Sequence, residues 1–277
     1  MTSDSQERLQ REIAAALHVD PAFDPERQIE RRIAFLTDCL ASTGRKCLVL
    51  GISGGVDSLL AGCLAQRAAQ RARGRGLEAA FIAMRLPYGA QRDEADAGQA
   101  MEIIRPDRGM TVDIRPASDA MLAGLEAAGL SFRDAAHRDF VAGNVKARQR
   151  MIAQYAVAGA HDGLVVGTDQ AAEALMGFFT KFGDGAADVV PLTGLTKRQV
   201  RAMARSLGAP EALVDKVPTA DLESLAPLRP DETALGVSYR EIDDFLEGRP
   251  IGDAAFAIIE RTYRQTAHKR ALPVAPD

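Results

Sequence analysis

The sequence predicts an α/β protein with a doubly wound parallel sheet and helices on both faces. Short apolar segments alternate along the chain with longer segments whose apolar residues recur at helical spacing. This alternation is typical of parallel sheets, because each parallel pair of strands needs a crossover connection that a helix usually supplies. Ligands bind such sheets beyond the carboxyl ends of the strands, so functional residues are expected there.

The N-terminal segment, residues 1–45, is predicted to form helices. Asp24, Pro25 and Glu26 mark a helix start, since an aspartate caps the first turn, proline fits its first position and an acid favours the positive end of the helix dipole. Apolar residues follow at helical spacing: Ile29, Ile33, Leu36 and Leu40.

Four strands and four further helices are predicted beyond this segment. The strands are expected at residues 47–52, 79–86, 111–114 and 163–167. The helices are expected at residues 58–71, 93–104, 117–128 and 141–160.

Two segments are predicted to be loops. Residues 181–185 are rich in glycine and are expected to turn sharply. Residues 208–230 carry four prolines, Pro210, Pro218, Pro227 and Pro230, and at about twenty residues are long for a connection. We predict that this segment is a mobile lid, with one helical turn within residues 211–216.

Length and composition narrow the class of protein. The 277 residues are treated as one domain, and a net charge of −4 disfavours a general role in nucleic-acid binding. We expect no membrane span, because no run of about eighteen apolar residues occurs, and residues 1–11 lack an apolar signal-peptide core. The three cysteines show no C-x-x-C spacing, which disfavours a disulfide framework or zinc site and predicts a cytoplasmic location.

The strongest functional signal is a glycine-rich segment that follows a predicted strand and opens a helix. Adjacent glycines let backbone N–H groups turn towards an anion, and the helix start adds its positive end. The segment is neither a Walker A loop nor a G-x-G-x-x-G fingerprint. Its aspartate would repel phosphate unless Mg²⁺ bridged the two, so we predict a Mg²⁺-dependent phosphate site. The residues are Gly51, Ile52, Ser53, Gly54, Gly55, Val56, Asp57 and Ser58.

The pattern Ser-Gly-Gly-x-Asp-Ser resembles the signature of the PP-loop ATP pyrophosphatases, which split ATP into AMP and pyrophosphate and share an adenine-nucleotide alpha hydrolase-like fold. An ordered set of further segments resembles the ammonia-dependent NAD synthetases within that superfamily. The resemblance runs from about Glu30 to Arg270 and is weakest over residues 130–139. The segments are Arg85-Leu86-Pro87-Tyr88-Gly89, Gly143-Asn144, Lys146-Ala147-Arg148, Val166-Gly167-Thr168-Asp169, Ala172-Glu173-Ala174, residues 177–185 with Asp188, residues 218–222, and His268-Lys269-Arg270.

The resemblance implies that ATP is a co-substrate and that Mg²⁺ is held by Asp57 and Glu173. It also implies ATP contacts from residues outside the loop, namely Arg85, Thr168, Lys197 and Thr219. The residues alone leave simpler roles open. Glu173 could be a solvated glutamate at a helix start, Thr168 a helix N-cap, Lys197 a first-turn lysine in a capping box and Arg85 a surface arginine.

The second substrate implied by the resemblance is deamido-NAD, whose pyrophosphate and nicotinate carboxylate need their own partners. The matching positions are Arg148, Lys181, Asp188, His268 and Lys269. Asp57, Lys181 and Asp188 are the implied catalytic residues. Phe178, Phe179 and Phe182 could stack on the pyridine ring or belong to an ordinary core.

The expected function is therefore amide synthesis: ATP adenylates the nicotinate carboxylate, and ammonia then displaces AMP. The resemblance also implies a homodimer. Only about fifty residues precede the phosphate loop, so ammonia rather than glutamine is the expected nitrogen source. The alternatives are another PP-loop enzyme, such as a GMP synthetase-like or tRNA-modifying enzyme, and a nucleotide-binding module without turnover. A nicotinamide dehydrogenase is disfavoured because its fingerprint is missing.

Overall fold

A computed structural model describes residues 3–89, 94–219, 222, 224–225, 229–271 and 273–276. The predictions that involve Asp93, Ala220, Asp221 and Pro227 lie outside these residues.

The centre of the described chain is a four-stranded parallel sheet, as predicted. Its strands are β1 (Cys47–Gly51), β2 (Ala80–Arg85), β3 (Arg108–Thr111) and β4 (Gly163–Val165). Their spatial order is β3-β2-β1-β4. From β1 the chain crosses to β2 and β3 on one side and then returns to β4 on the other side. The carboxyl ends of β1 and β4 therefore flank the topological switch point where such folds bind ligands.

The predicted position of the third strand was wrong by three residues. We expected residues 111–114, and β3 shares only Thr111 with them. This strand lies at the edge of the sheet and is largely exposed, so it lacks the apolar run that marks a buried strand. The apolar residue that suggested the prediction, Ile114, is instead buried at the start of the next helix.

The helices surround this sheet in the predicted alternation, with additional helices near the C-terminus. The predicted caps of the second helix are present, because Asp24 accepts a hydrogen bond from the backbone N–H of Arg27 and Pro25 is the first helical residue. The helices are α1 (Ser3–Ala16), α2 (Pro25–Thr43), α3 (Val56–Gly74), α4 (Glu94–Ile104), α5 (Arg115–Ala127), α6 (Ala135–Ala160), α7 (Ala171–Met176), α8 (Lys197–Ser206), α9 (Glu211–Val214), α10 (Asp231–Leu235), α11 (Tyr239–Leu246) and α12 (Asp253–Gln265), and a short 3₁₀ helix spans Ala267–Lys269.

Helix α6 begins six residues before its predicted start. Asp134 caps it by accepting a hydrogen bond from the backbone N–H of His137, a signal hidden in a polar segment with little apolar periodicity. The single turn expected within residues 211–216 is present as α9.

Three hydrophobic clusters hold the elements together. The first lies between one face of the sheet and helices α2, α3 and α8. The second lies under α5 and α6 on the other face of the sheet. The third joins α1, α7, α11 and α12 beside the carboxyl end of β4. Over the part of the chain that is described, no helix has both the length and the apolar character needed to cross a bilayer.

Candidate active site

A pocket of 310 Å³ opens at the carboxyl ends of β1, β2 and β4, where the fold class predicts a ligand. Nearly all residues predicted to contact ATP or Mg²⁺ line it; Gly54 is the exception. They are Gly51, Ile52, Ser53, Gly55, Val56, Asp57, Ser58, Arg85, Thr168, Glu173, Lys197 and Thr219. The structure thus brings together residues that are up to 168 positions apart in the sequence.

The glycine-rich loop between β1 and α3 has the geometry of an anion cradle. Gly54 adopts a φ of +84°, and a β-carbon there would lie 2.8 Å from the backbone nitrogen of Ala97, so only glycine fits. Gly55 caps α3 without a side-chain hydrogen bond. The N–H groups of the first turn of this long helix therefore remain available to an anion in the pocket.

The two serines of the loop brace it. The backbone N–H of Ser53 donates to the Ser58 hydroxyl at 3.2 Å, and the two hydroxyl oxygens lie 3.1 Å apart. The Ser58 hydroxyl also contacts the Gly55 carbonyl at 3.0 Å. Both side chains, which belong to the predicted phosphate loop, are thus part of the loop's own hydrogen-bond network.

An aspartate–lysine pair forms the floor of the pocket. The Lys197 ammonium lies 2.5 Å from Asp57 Oδ2, and only 3% of the Lys197 side chain is exposed. Burial by itself lowers the pKa of Lys197, but attraction to Asp57 and then to Glu173 outweighs it and raises the pKa. Lys197 is therefore a fixed positive charge beside the phosphate cradle.

The backbone of Lys197 is held equally firmly. The predicted capping box at Thr196 and Gln199 is present at the start of α8. In addition, the buried carboxylate of Asp243 accepts hydrogen bonds from the N–H groups of Lys197 and Arg198, at 2.9 and 2.8 Å. Burial raises the pKa of Asp243 to about 6 despite these two hydrogen bonds. Lys197 is thus a lysine in the first turn of α8, as the capping box predicted, and its side chain points into the pocket.

Four carboxyl groups line the pocket, those of Asp57, Glu173, Asp184 and Asp231, and Asp169 lies close to them. Burial, followed by the charge of Asp57, raises the pKa of Glu173 well above its ordinary value. Burial and the nearby Asp184 raise the pKa of Asp169 to about 7. The surrounding protein also raises the pKa of Asp184, although this pocket-lining residue is exposed. Like charges gathered in a poorly hydrated site favour a bound cation.

Asp57 and Glu173 fit a magnesium ion in this pocket. The Oδ1 atom of Asp57 is buried without a hydrogen-bond partner, which leaves one carboxylate oxygen free for a cation. Among the described residues, no group of three or more His, Cys, Asp or Glu side chains is placed to hold a metal. This suits Mg²⁺, which is commonly bound by one or two carboxylates together with substrate phosphates and water.

The simpler roles left open by the sequence can now be judged. Thr168 is not the N-cap of α7; Gln170 is, since its side chain accepts the backbone N–H of Ala172 at 2.6 Å. Glu173 belongs to the first turn of α7 but faces the pocket. Arg85 is mostly buried, lines the pocket and pairs with Glu94, so it is not an ordinary surface arginine.

A second cavity of 210 Å³ adjoins the first. Phe178, Asp184, Leu222 and Asp231 line both. Phe179 lines only the second cavity, whereas Phe182 is 56% exposed and lines neither. Of the three phenylalanines, two are therefore placed where a ring could stack on a ligand.

Three of the residues predicted to bind the second substrate are linked by hydrogen bonds, and a fourth lines the second cavity. Arg148 donates to the Lys181 carbonyl at 3.2 Å, and the Lys181 ammonium donates to the His268 carbonyl at 2.6 Å. Lys269 lines the second cavity, donating to the carbonyls of Gly177 and Phe179 at 2.8 and 2.7 Å.

The carboxylate of Asp188 is bonded to the backbone at the end of β4. Its Oδ2 accepts the backbone N–H of Val165 at 2.7 Å, at the end of β4, and its Oδ1 lies 3.5 Å from the Tyr155 hydroxyl. Arg148, Lys181, Asp188 and His268 do not appear among the described residues that line either cavity. The structure therefore does not place these four beside the phosphate cradle.

Several pocket residues were missed by sequence reasoning. Gln154 accepts the Gly51 N–H at 2.8 Å, and Arg150 lies one helical turn away on α6 and also lines the pocket. Their four-residue spacing was a usable signal. Asp184, in the predicted turn, carried a signal as an acid among glycines. The only sequence signal for Asp231 was its position after a proline.

Comparison with known proteins agrees with this site. The family model described as NAD synthase matches residues 28–273. An NH(3)-dependent NAD(+) synthetase of Streptomyces coelicolor is 68% identical over 97% of this chain and 97% of that protein.

Two solved structures are similar over nearly their whole length. The crystal structure of NAD+ synthetase from Burkholderia pseudomallei is 60% identical, with a TM-score of 0.85, over 97% of this chain and 98% of that chain. The structure of NMN synthetase from Francisella tularensis is 35% identical, with a TM-score of 0.80, over 92% and 99%. Taken with the loop and the carboxylate–lysine pocket, these matches show that the chain belongs to the NAD synthase family.

Proposed function

We propose that the chain is an ammonia-dependent NAD synthetase: a ligase that adenylates the nicotinate carboxylate of deamido-NAD with ATP and amidates it with ammonia. The products are NAD, AMP and pyrophosphate. The observation that carries this proposal is the Asp57–Lys197 pair at the foot of the phosphate cradle, in a chain 68% identical to a named NH(3)-dependent NAD(+) synthetase. Another PP-loop enzyme would share the cradle but not that identity over the whole chain.

The ATP phosphates occupy the cradle in this proposal. The N–H groups at the start of α3 face the phosphates, and Lys197 neutralises charge as pyrophosphate leaves. Arg85, Thr168 and Thr219 contact the rest of the nucleotide from the walls of the pocket. When bound to Asp57 and Glu173, Mg²⁺ supplies charge neutralisation to the phosphates.

Two displacements complete the reaction. An oxygen of the nicotinate carboxylate forms a bond to the α-phosphorus as the bond to pyrophosphate breaks. Ammonia then attacks the carbonyl carbon, AMP leaves with the shared oxygen, and a proton is released. The protein's part is to position these groups and to stabilise charge, without a covalent bond to any side chain.

The residues proposed for deamido-NAD are Arg148, Lys181, Asp188, His268 and Lys269. Lys181 and Asp188 are taken to act at the nicotinate end. Since four of the five lie outside the two cavities, we propose that the dinucleotide extends from the pocket over this surface. A homodimer, with substrate near its interface, and a cytoplasmic location complete the proposal. The homodimer rests on the family, and the location rests on the cysteine pattern.

The lid proposal concerns residues 208–230. Lys216 pairs with Asp96 at 2.5 Å, and Lys146 donates to the Leu222 carbonyl at 2.9 Å. Together with Thr219, Lys216 and Leu222 line the pocket. Asp139 adds two contacts, because its carboxylate accepts the backbone N–H groups of Ser224 and Leu225 at 2.9 and 2.7 Å. Leu213 and Val214, near the start of the segment, are buried in the first hydrophobic cluster, so the part that we propose opens and closes begins after them.

Limited trypsin digestion tests the lid. We expect ATP with Mg²⁺ to slow cleavage after Lys216 several-fold, because a closed lid is a poor protease substrate. Cleavage after Arg75 serves as the control. This exposed residue precedes the amino end of β2, which lies away from the pocket, so its cleavage should not change with nucleotide. Equal rates after Lys216 with and without ATP would contradict the lid.

Product analysis by mass spectrometry tests the function as a whole. With ATP, Mg²⁺, deamido-NAD and ammonium, we expect NAD, AMP and pyrophosphate in equal amounts. Nicotinate mononucleotide is the parallel substrate, because a structural neighbour is an NMN synthetase. Faster turnover of the mononucleotide would reassign the substrate, and no turnover of either would favour a nucleotide-binding module.

A further inference from the structure

Helix α11 contacts Lys197 at two points. Asp243 of α11 accepts the Lys197 backbone N–H, while the Lys197 ammonium lies 5.2 Å from the centroid of the Tyr239 ring on the same helix. Tyr239 and Asp243 are four residues apart, so they lie on one face of α11, one turn from each other. The backbone and the ammonium of Lys197 are therefore both positioned by α11.

Tyr239 is itself fixed. It is 4% exposed and packs in the cluster formed by α1, α7, α11 and α12. Its hydroxyl donates to Asp231 Oδ2 at 3.1 Å, and its backbone N–H donates to Glu232 at 2.7 Å. A ring held at both ends presents a constant face to the ammonium.

The chain of contacts continues into the lid segment. The backbone N–H of Asp231 donates to the Pro218 carbonyl at 3.0 Å, and Thr219 forms a β-bridge with Pro230. Both Thr219 and Asp231 line the nucleotide pocket. Tyr239 thus connects Lys197, through Asp231, to Pro218 in the wall of the same pocket.

The ring face of Tyr239 contributes electrostatic stabilisation to Lys197 in addition to packing. Lys197 sits at the start of α8, where the helix dipole disfavours a positive charge. Asp57 and Glu173 balance that charge in the structure described. Under the proposed function both carboxylates are shared with a divalent cation, whereas the electron-rich ring face of Tyr239 stays available to Lys197.

We propose that Tyr239 is a positioning residue for Lys197: its ring face keeps the ammonium directed at the nucleotide phosphates. The inference rests on the proposed function in one respect, that Lys197 contacts those phosphates. The ring acts through Lys197 and does not itself touch the reacting atoms.

Fluorination of the ring isolates this effect. Tyr239→Phe removes the hydroxyl and is the reference; the test protein carries 3,4,5-trifluorophenylalanine at position 239, which has nearly the same shape but a weakened ring face. Since a cation–π contact is worth a factor of about two to thirty, we expect kcat to fall at least about threefold relative to the reference. The same pair of side chains is compared in a Lys197→Gln background, which keeps a donor for Asp57 but has no charge. There, fluorination should change kcat by less than about 1.5-fold.

Metal-free ATP binding, measured by calorimetry, gives a second readout that does not need turnover. Fluorination should weaken binding at least about twofold when Lys197 is present and not when it is glutamine. Melting temperatures identify any general loss of fold, which would affect both backgrounds alike. Equal effects of fluorination in the two backgrounds, or none in either, would overturn the proposal. An inactive unchanged protein would instead refute the proposed function, and the binding comparison would still decide the role of Tyr239.

Discussion

The Asp57→Asn protein is expected to release pyrophosphate at least about 1,000-fold more slowly than the unchanged chain, a loss of about 4 kcal/mol of transition-state stabilisation. The Oδ1 atom of Asp57 is buried without a partner among the described residues, and the other carboxylate oxygen holds Lys197. An asparagine presents a neutral amide to both. The substitution therefore weakens the proposed metal site and misdirects the lysine together.

The fold should survive this change. Asparagine retains an oxygen that can accept from Lys197, and Glu173 still attracts the ammonium. We expect the melting temperature to fall by no more than about 5 °C. Asp38→Asn is the matched control, because Asp38 pairs with Arg75 on the surface and should change neither turnover nor melting appreciably. Near-normal pyrophosphate release by Asp57→Asn would refute the role of Asp57 in binding the metal.

The second large effect concerns the nitrogen donor: we expect turnover with ammonium and essentially none with glutamine. Glutamine use typically requires an activated thiolate that attacks the side-chain amide. Burial raises the pKa of Cys39 and Cys47, and it raises the pKa of Cys63 to about 11. Each thiol of this chain is therefore protonated at neutral pH and poorly nucleophilic.

The measurement is NAD formation by the purified 277-residue chain with ammonium or glutamine as the only donor. With ammonium the rate should rise with pH, because the unprotonated form is the nucleophile. A protein in which Cys39, Cys47 and Cys63 are all replaced by serine should retain the ammonium rate if it folds normally. Robust glutamine-dependent synthesis by the unchanged chain would contradict this expectation, and its loss in the serine protein would assign that activity to a cysteine.

Most of the sheet and the phosphate cradle could be predicted because their signals are local. A buried strand is an apolar run, and an anion loop needs glycines between that strand and a helix. The edge strand β3 was predicted three residues too late, because exposed strands carry no apolar run. Helices α10 to α12 were not predicted; their stability depends on packing with α1 and α7, which are distant in sequence.

The orientation of site residues was harder to predict than their presence. The capping box at Thr196 correctly marked the start of α8, yet nothing near Lys197 indicates that its ammonium meets Asp57, 140 residues away. In the sequence, Tyr239 likewise looks like an ordinary residue on the apolar face of a helix, because its contact with Lys197 depends on how α11 packs. Arg148 and His268 are exposed, so without the family resemblance they would be indistinguishable from surface charges.

The central claim is that the carboxylate of the substrate attacks the α-phosphorus of ATP. The most direct measurement is the product analysis repeated with deamido-NAD whose carboxylate carries a heavy oxygen isotope at both positions. We predict one labelled oxygen in AMP and the other in the amide of NAD, with unlabelled pyrophosphate. Label in inorganic phosphate, accompanied by ADP instead of AMP, would contradict adenylation and the account built on it.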